Sequence, residues 1–245
     1  MSKDYSEDRL IEQPCMDIFQ ELSWETADVY ERENFGEQGT LGRDSESDVI
    51  LRTRFYNAIK NLNPNLPQQA YDLAYESINS NDATKNLSDI NFEKYNFLKD
   101  GIPINYKDAK GEIVRNKKIK VFDFDNPKNN NYIAVQQLWM EGKSKRKKRP
   151  DVVGFVNGLP LVFIELKGIN VKLRAAYEKN LKDYKNTIPK MFHCNAFVIL
   201  SNGVESKIGS ISSKYEHFHD WKRISEEDQG IVSLDTIIKG TCEKS

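Results

Sequence analysis

Asp151, Glu165 and Lys167 are the residues of this 245-residue chain whose types and spacing best support chemistry. They stand in Arg149-Pro150-Asp151-Val-Val-Gly-Phe-Val-Asn157-Gly158-Leu-Pro-Leu-Val-Phe-Ile-Glu165-Leu166-Lys167, where two apolar runs flank Asn157-Gly158. Asn-Gly between such runs signals a tight hairpin. Folding about Gly158 brings Asp151 opposite Glu165 to within about one residue. Alternation then puts Phe163, Glu165 and Lys167 on one face, and Val162, Ile164 and Leu166 on the other. Charges at the end of an apolar hairpin are costly unless paired or bound to a metal. Two carboxylates with water in the remaining positions suit Mg²⁺, a hard ion that prefers oxygen. Such an ion would polarise a phosphate ester, lower the pKa of an attacking water and neutralise developing charge. Lys167 would orient or deprotonate that water, or stabilise the charged transition state. The competing account is a buried Glu–Lys ion pair that caps an ordinary sheet.

Glu-x-Lys by itself carries little information, since the chain holds three examples: Glu141-Gly-Lys143, Glu165-Leu-Lys167 and Glu205-Ser-Lys207. Only the middle one lies in an apolar run and follows a Pro-Asp across a hairpin. The elements that must position it follow from periodicity. Residues 51–61 and 67–79 read as helices separated by Asn63-Pro64-Asn65-Leu66-Pro67, and a third helical segment at 91–99 stops at Asp100-Gly101. Strand-like runs come next: Ile102–Tyr106, Lys118–Phe124, Tyr132–Trp139, Val152–Val156, Leu161–Leu166, Ala196–Leu200 and Lys207–Ser212. A helix at 172–187 interrupts them and ends before Pro189. The order predicts one α/β domain over 1–245, with a central mixed β-sheet flanked by helices. Within it, 1–50 is an acidic part packed on the domain, 51–100 is helical, 101–213 is the catalytic sheet core and 214–245 is a C-terminal helical segment.

The formal net charge of -1 hides an asymmetry, because residues 1–50 hold four Lys/Arg against fourteen Asp/Glu. Positive charge concentrates at Lys117, Lys118 and Lys120, and in the run Lys143, Lys145, Arg146, Lys147, Lys148 and Arg149. That run leads directly into Pro150-Asp151 and is a candidate contact for a nucleic-acid backbone, with a solubilising loop as the alternative. Gly142-Lys143-Ser144 imitates the end of a phosphate-binding loop, but Gln137 stands where the first glycine belongs. Three scattered cysteines suggest no disulfide framework, and His193, His217 and His219 read as structural or surface groups. No run is apolar enough to span a membrane, and a reducing cytoplasm is the expected location.

Pro150-Asp151 followed by Glu165-x-Lys167 resembles the PD-(D/E)xK nuclease superfamily. The match is closer to one member: the whole hairpin sequence resembles the N-terminal nuclease domain of the restriction (motor) subunit of type I restriction–modification enzymes. Supporting segments are Asn61–Pro67, Phe122-Asp123-Phe-Asp-Asn-Pro127, Ile188-Pro189, Ser201-Asn-Gly203 and Phe218…Trp221, so the resemblance covers about residues 17–240. It implies a restriction-endonuclease-like core with Asp151, Glu165 and Lys167 as the catalytic trio, the two carboxylates holding Mg²⁺. Related nucleases place Gln-x-x-x-Tyr on the following helix; here Tyr184 matches, while Asn180 stands at the Gln position. Some relatives recruit a Glu from an early helix to the metal, a role Glu76 would fill. Asp123 resembles a family position as site support, with a turn-capping role as the alternative. The resemblance also implies double-stranded DNA as substrate, methyltransferase and specificity subunits as partners, and ATP used only by a motor that these residues lack. A docking module with a vestigial nuclease fold, and a repair nuclease or junction resolvase, are the alternative functions.

Overall fold

The computed structural model describes residues 7–108, 110–221 and 233–244, apart from the side chains of residues 7–10 and 143. Its centre is a six-stranded mixed sheet in the order β1-β4-β7-β8-β9-β10, comprising β1 (Glu25–Asp28), β4 (Tyr132–Gln136), β7 (Val152–Val156), β8 (Leu159–Leu166), β9 (Phe197–Ser201) and β10 (Ser206–Gly209). β1 runs parallel to β4 and β8 parallel to β9, while the other neighbours are antiparallel. The architecture is compatible with a restriction-endonuclease-like core. β2 (Ile102–Lys107) and β3 (Ile113–Ile119) make a separate two-stranded ribbon. β5 (Met140–Glu141) and β6 (Lys147–Lys148) make a smaller one.

The apolar alternation predicted for the hairpin is observed, and it divides the core into two layers. Val152, Val162, Ile164 and Leu166 face one cluster with residues of α1 (Glu7–Glu21), α2 (Arg52–Leu62), α3 (Gln68–Asn79) and α7 (Leu234–Cys242). Val153, Phe155 and Phe163 face the other. That second layer is closed by one helical segment: α5 (Leu173–Ala175), a π-helical turn (Ala176–Leu181) and α6 (Lys182–Thr187). The remaining helix, α4 (Leu87–Asp100), ends at Gly101 as the sequence signal indicates.

Two features differ from the sequence reading. The strand expected at Lys118–Phe124 lies earlier, at Ile113–Ile119, and 121–124 is irregular chain. The acidic N-terminal part is folded, as expected, but it does more than pack outside: it supplies α1 and the edge strand β1. Its buried Arg43 pairs with Glu33 at 2.5 Å and donates to the Trp139 carbonyl at 2.7 Å, which ties this segment to the chain leaving β4. In the C-terminal part, described residues form a short 3₁₀ turn at Tyr215–His217 and α7, which packs on α1. Among the described residues no helix is long and apolar enough to cross a membrane.

The hairpin turn carries both left-handed residues that its type demands, Asn157 (φ 50°) and Gly158 (φ 78°). Asn157 is fully buried; its amide donates to the Val121 carbonyl at 2.8 Å, and its Oδ1 accepts from the Asn131 N–H at 2.7 Å. A Cβ on Gly158 would sit 2.6 Å from the Leu51 carbonyl oxygen, whereas one on Gly111 (φ 84°) would meet nothing within 4 Å. Gly111→Ala should therefore cost only the left-handed strain, about 1–2 kcal/mol. Gly158→Ala should cost that plus backbone displacement, several kcal/mol in all, or on the order of 10 °C in Tm. Equal losses in thermal unfolding would contradict the packing described for the turn.

Candidate active site

Strand polarity brings several chain segments to one end of the sheet: the C-terminal ends of β1, β4, β8 and β9, and the start of β7. Gln136 pairs with Val152, Val152 with Ile164, and Leu166 with Ser201. Asp151 thus precedes the pair that sets it across from Glu165, as the folding of the hairpin predicts. A register irregularity between Gly154 and Phe155 lets an uneven loop close without shifting this end.

Asp151 Oδ2 accepts the Leu166 N–H at 2.7 Å. Glu165 is fully buried, and its Oε1 accepts from Lys167 Nζ and from Asn180 Nδ2, each at 2.6 Å. Its Oε2 is buried with no hydrogen-bond partner. Burial, and then the Glu165 charge, raise the Asp151 pKa well above the usual aspartate value, against the pull of Lys167. Burial also raises Glu165, opposed first by Lys167 and then by its hydrogen bonds. A fully buried Glu165 with an orphaned oxygen beside a half-buried Asp151, both with elevated pKa, is poorly served by the protein alone.

The helical segment behind β8 supplies the supporting groups. Leu173, Ala176, Leu181 and Tyr184 are buried against the sheet, and the Tyr184 ring meets Phe163 edge-on at 5.2 Å. Asn180 lies in the π-helical turn, a register change of a kind often found at functional sites. Tyr184 donates its hydroxyl to the Arg149 carbonyl at 3.1 Å and lies close enough to Glu165 for that carboxylate, after burial, to push the phenol pKa up. Both members of the Asn180-x-x-x-Tyr184 pair are therefore at the Asp151–Glu165 centre.

Glu76 and Asp123 are elsewhere. Glu76 is exposed on α3, whose apolar side packs on β2, and is not among the charges that act most strongly on Asp151 or Glu165. The acidic residue that does reach the site from an early helix is Glu12 on α1, whose charge acts on Asp151. It is 2% exposed, and it accepts from Gln136 Nε2 and Gln137 Nε2 at 2.6 Å each. Gln137 in turn donates its backbone N–H to the Asp151 carbonyl at 2.8 Å, and its Oε1 is a second buried oxygen without a partner. The sequence did hold a signal for Glu12: it stands with Cys15, Met16 and Phe19 at i, i+3, i+4 and i+7, a carboxylate within a buried apolar stripe. Asp123 is not in a strand and takes the turn-capping role instead. Its carboxylate accepts from the Asn126 N–H at 3.2 Å and from Asn129 Nδ2 at 2.9 Å.

The basic run does emerge beside the site, and most of its described charge is spent within the protein. Arg146 and Lys148 both pair with Asp183, and Lys147 pairs with Glu46 at 2.6 Å. The Arg149 guanidinium stacks on Tyr30 and Trp139, 4.4 and 5.0 Å from the ring centres. Lys145 is exposed at a left-handed residue (φ 57°), and the Lys143 side chain lies outside the described residues.

Among the described residues, no group of three or more His, Cys, Asp or Glu gathers closely enough to hold a metal. The donors at this end of the sheet are the Asp151 and Glu165 carboxylates. Mg²⁺ asks for no more than this, since it commonly takes one or two carboxylates and fills the rest with water and substrate phosphate. The orphaned Glu165 Oε2 fits that demand.

Known proteins carry a similar sequence over most of this length. The type I restriction enzyme HindI endonuclease subunit of Haemophilus influenzae is 32% identical over 228 residues, which is 89% of this chain and 20% of the relative. A protein of Methanocaldococcus jannaschii provisionally named type I restriction enzyme MjaIXP endonuclease subunit is 30% identical over 199 residues, 79% of this chain and 19% of the relative. The chain thus spans about one fifth of the length of these curated relatives. A family model described as type I restriction enzyme R protein N terminus matches residues 4–217, and the chain belongs to that family.

Proposed function

We propose that this chain is a Mg²⁺-dependent endonuclease module that hydrolyses phosphodiester bonds of double-stranded DNA. The observation that carries the proposal is Glu165 Oε2, buried and unpartnered beside Asp151 while Lys167 and Asn180 engage the other oxygen. Membership of the family and the endonuclease names of the relatives support the same reaction. When bound, the ion supplies Lewis acidity toward the scissile phosphate and a more acidic water. Asp151 and Glu165 would hold it. The Leu166 N–H fixes one Asp151 oxygen, and the Asn180 amide fixes Glu165, so neither carboxylate has to be ordered at the moment of binding. The Lys167 side chain is 21% exposed, which lets its ammonium meet a water or a phosphate oxygen at the mouth of the site. Sequence recognition belongs, in this proposal, to methyltransferase and specificity subunits, and ATP-driven translocation to a motor outside these residues.

In the full-length protein with its partners, Asp151→Asn and Lys167→Ala should each reduce supercoiled-plasmid cleavage by at least about a hundredfold, with duplex binding retained; undiminished cleavage in both would remove the assignment. A second expectation concerns stability in the presence of a chelator. Because the folded Asp151 carboxyl binds its proton more tightly than the unfolded one, folding stability falls as pH rises from the ordinary aspartate range near about 4. Asp151→Asn abolishes that loss and keeps an oxygen for the Leu166 N–H. It should unfold with the higher Tm at pH 8, by on the order of 1–2 kcal/mol, and the gap should close toward pH 4. A gap that is constant or inverted would contradict the elevated pKa.

A further inference from the structure

A second group of exposed cations, denser in unpaired charge than the basic run beside the site, lies on the β2–β3 ribbon. β2 and β3 pair Ile102 with Ile119, Pro103 with Lys118, Ile104 with Lys117 and Lys107 with Ile113. Ile102, Ile104 and Ile119 are buried in the core, so alternation along β2 turns Pro103, Asn105 and Lys107 outward. Lys118 and Ile113, opposite Pro103 and Lys107, share that outward face.

Between the Ile104 and Tyr106 pairs, Arg115 and Asn116 together oppose Asn105, which makes a bulge on β3. Asn116 is left-handed (φ 51°), and its N–H donates to Asn105 Oδ1 at 2.8 Å. A bulge of this kind adds local twist and re-aims the neighbouring side chain, here Arg115.

Lys107, Lys110, Arg115, Lys117 and Lys118 are all exposed, and among the described residues none of them makes an ion pair. Lys120, just past the ribbon, is the neighbour that is paired, with Asp123 and Asp125. Two acids accompany the five cations, and one of them, Asp108, uses its carboxylate to close the turn by accepting the Lys110 and Glu112 N–H groups.

We propose that the outward face of this ribbon, carried by Lys107, Arg115 and Lys118, binds the phosphate backbone of duplex DNA. The ribbon's base is tied to the hairpin turn by Asn157, whose amide donates to the Val121 carbonyl at 2.8 Å. Asn157 is six residues along the chain from Asp151, about 20 Å of extended strand, so the ribbon's base lies at the end of the hairpin away from Asp151. The choice of DNA over another anionic partner rests on the nuclease function proposed above and on the unpaired positive charge of this face.

The test is fluorescence-anisotropy titration of a short DNA duplex with the full-length protein, in chelator, over a range of salt concentrations. Lys107→Gln/Arg115→Gln/Lys118→Gln should weaken binding about tenfold or more near 0.1 M salt. It should also shallow the slope of log affinity against log salt by about 3, close to 0.9 for each phosphate no longer neutralised. Lys107→Arg/Arg115→Lys/Lys118→Arg, which keeps the charge, should bind as the unmodified protein does. Unchanged affinity and slope in the Gln variant would overturn the proposal, as would unchanged duplex binding with loss of an acidic partner subunit. These outcomes are separable from failure of the nuclease assignment: Asp151→Asn leaves the ribbon intact, and its cleavage is read in a different assay.

Discussion

The structure is organised around an unfavourable electrostatic arrangement: a fully buried carboxyl group, Glu165, and a half-buried one, Asp151, at the end of an apolar hairpin, with one ammonium between them and solvent. Folding gains from removing Val152, Val153, Phe155, Phe163 and Ile164 from water, and the hairpin that achieves this also draws Asp151 and Glu165 together. Lys167 pairs with Glu165 and only partly offsets the burial of Asp151, which otherwise has a backbone N–H and the opposing influence of Glu165 and Glu12. The neighbouring chain holds this arrangement rather than dissolving it. Gln137 links Glu12 to the Asp151 backbone, and Asn180 and Tyr184 close in from the helical segment. The divalent cation proposed above would offset that charge.

The hairpin was legible in the sequence because its signals are local. Asn157-Gly158 fixes the turn, the period of two fixes the faces, and the turn then fixes which carboxylates meet. Tyr184 was legible through the resemblance, which places a Tyr on the helix after the hairpin. The stripe that Glu12 shares with Cys15, Met16 and Phe19 was masked by Pro14, which suggests a break where the chain instead continues from Glu7 to Glu21. The clearer periodic pattern of α3 pointed instead to Glu76 as the acidic residue of an early helix. Asp123 was misplaced for a related reason: Val121 and Phe122 read as strand, but the following Asn126-Pro127 turn captures the carboxylate and the backbone together.

Charge was the least legible property. A run of Lys and Arg shows where positive charge is, but not whether it is already answered. Asp183 lies on the helical segment that also supports Glu165, and Glu46 lies in the acidic N-terminal part; together they engage Arg146, Lys147 and Lys148. The excess acid of the first fifty residues therefore has partners inside the domain, among them Arg43, Arg52 and Arg54. The ribbon lysines make no ion pair with these acids, which no local pattern could reveal.

If the buried carboxyl pair is a divalent-metal site, anomalous diffraction from crystals of this protein soaked in Mn²⁺ tests it most directly. A single strong peak is expected between Asp151 and the now unpartnered Glu165 Oε2, with no such peak in Asp151→Asn crystals. Absence of density there at saturating Mn²⁺, with the Glu165–Lys167 pair intact, would contradict the metal site and leave the pair as a structural ion pair.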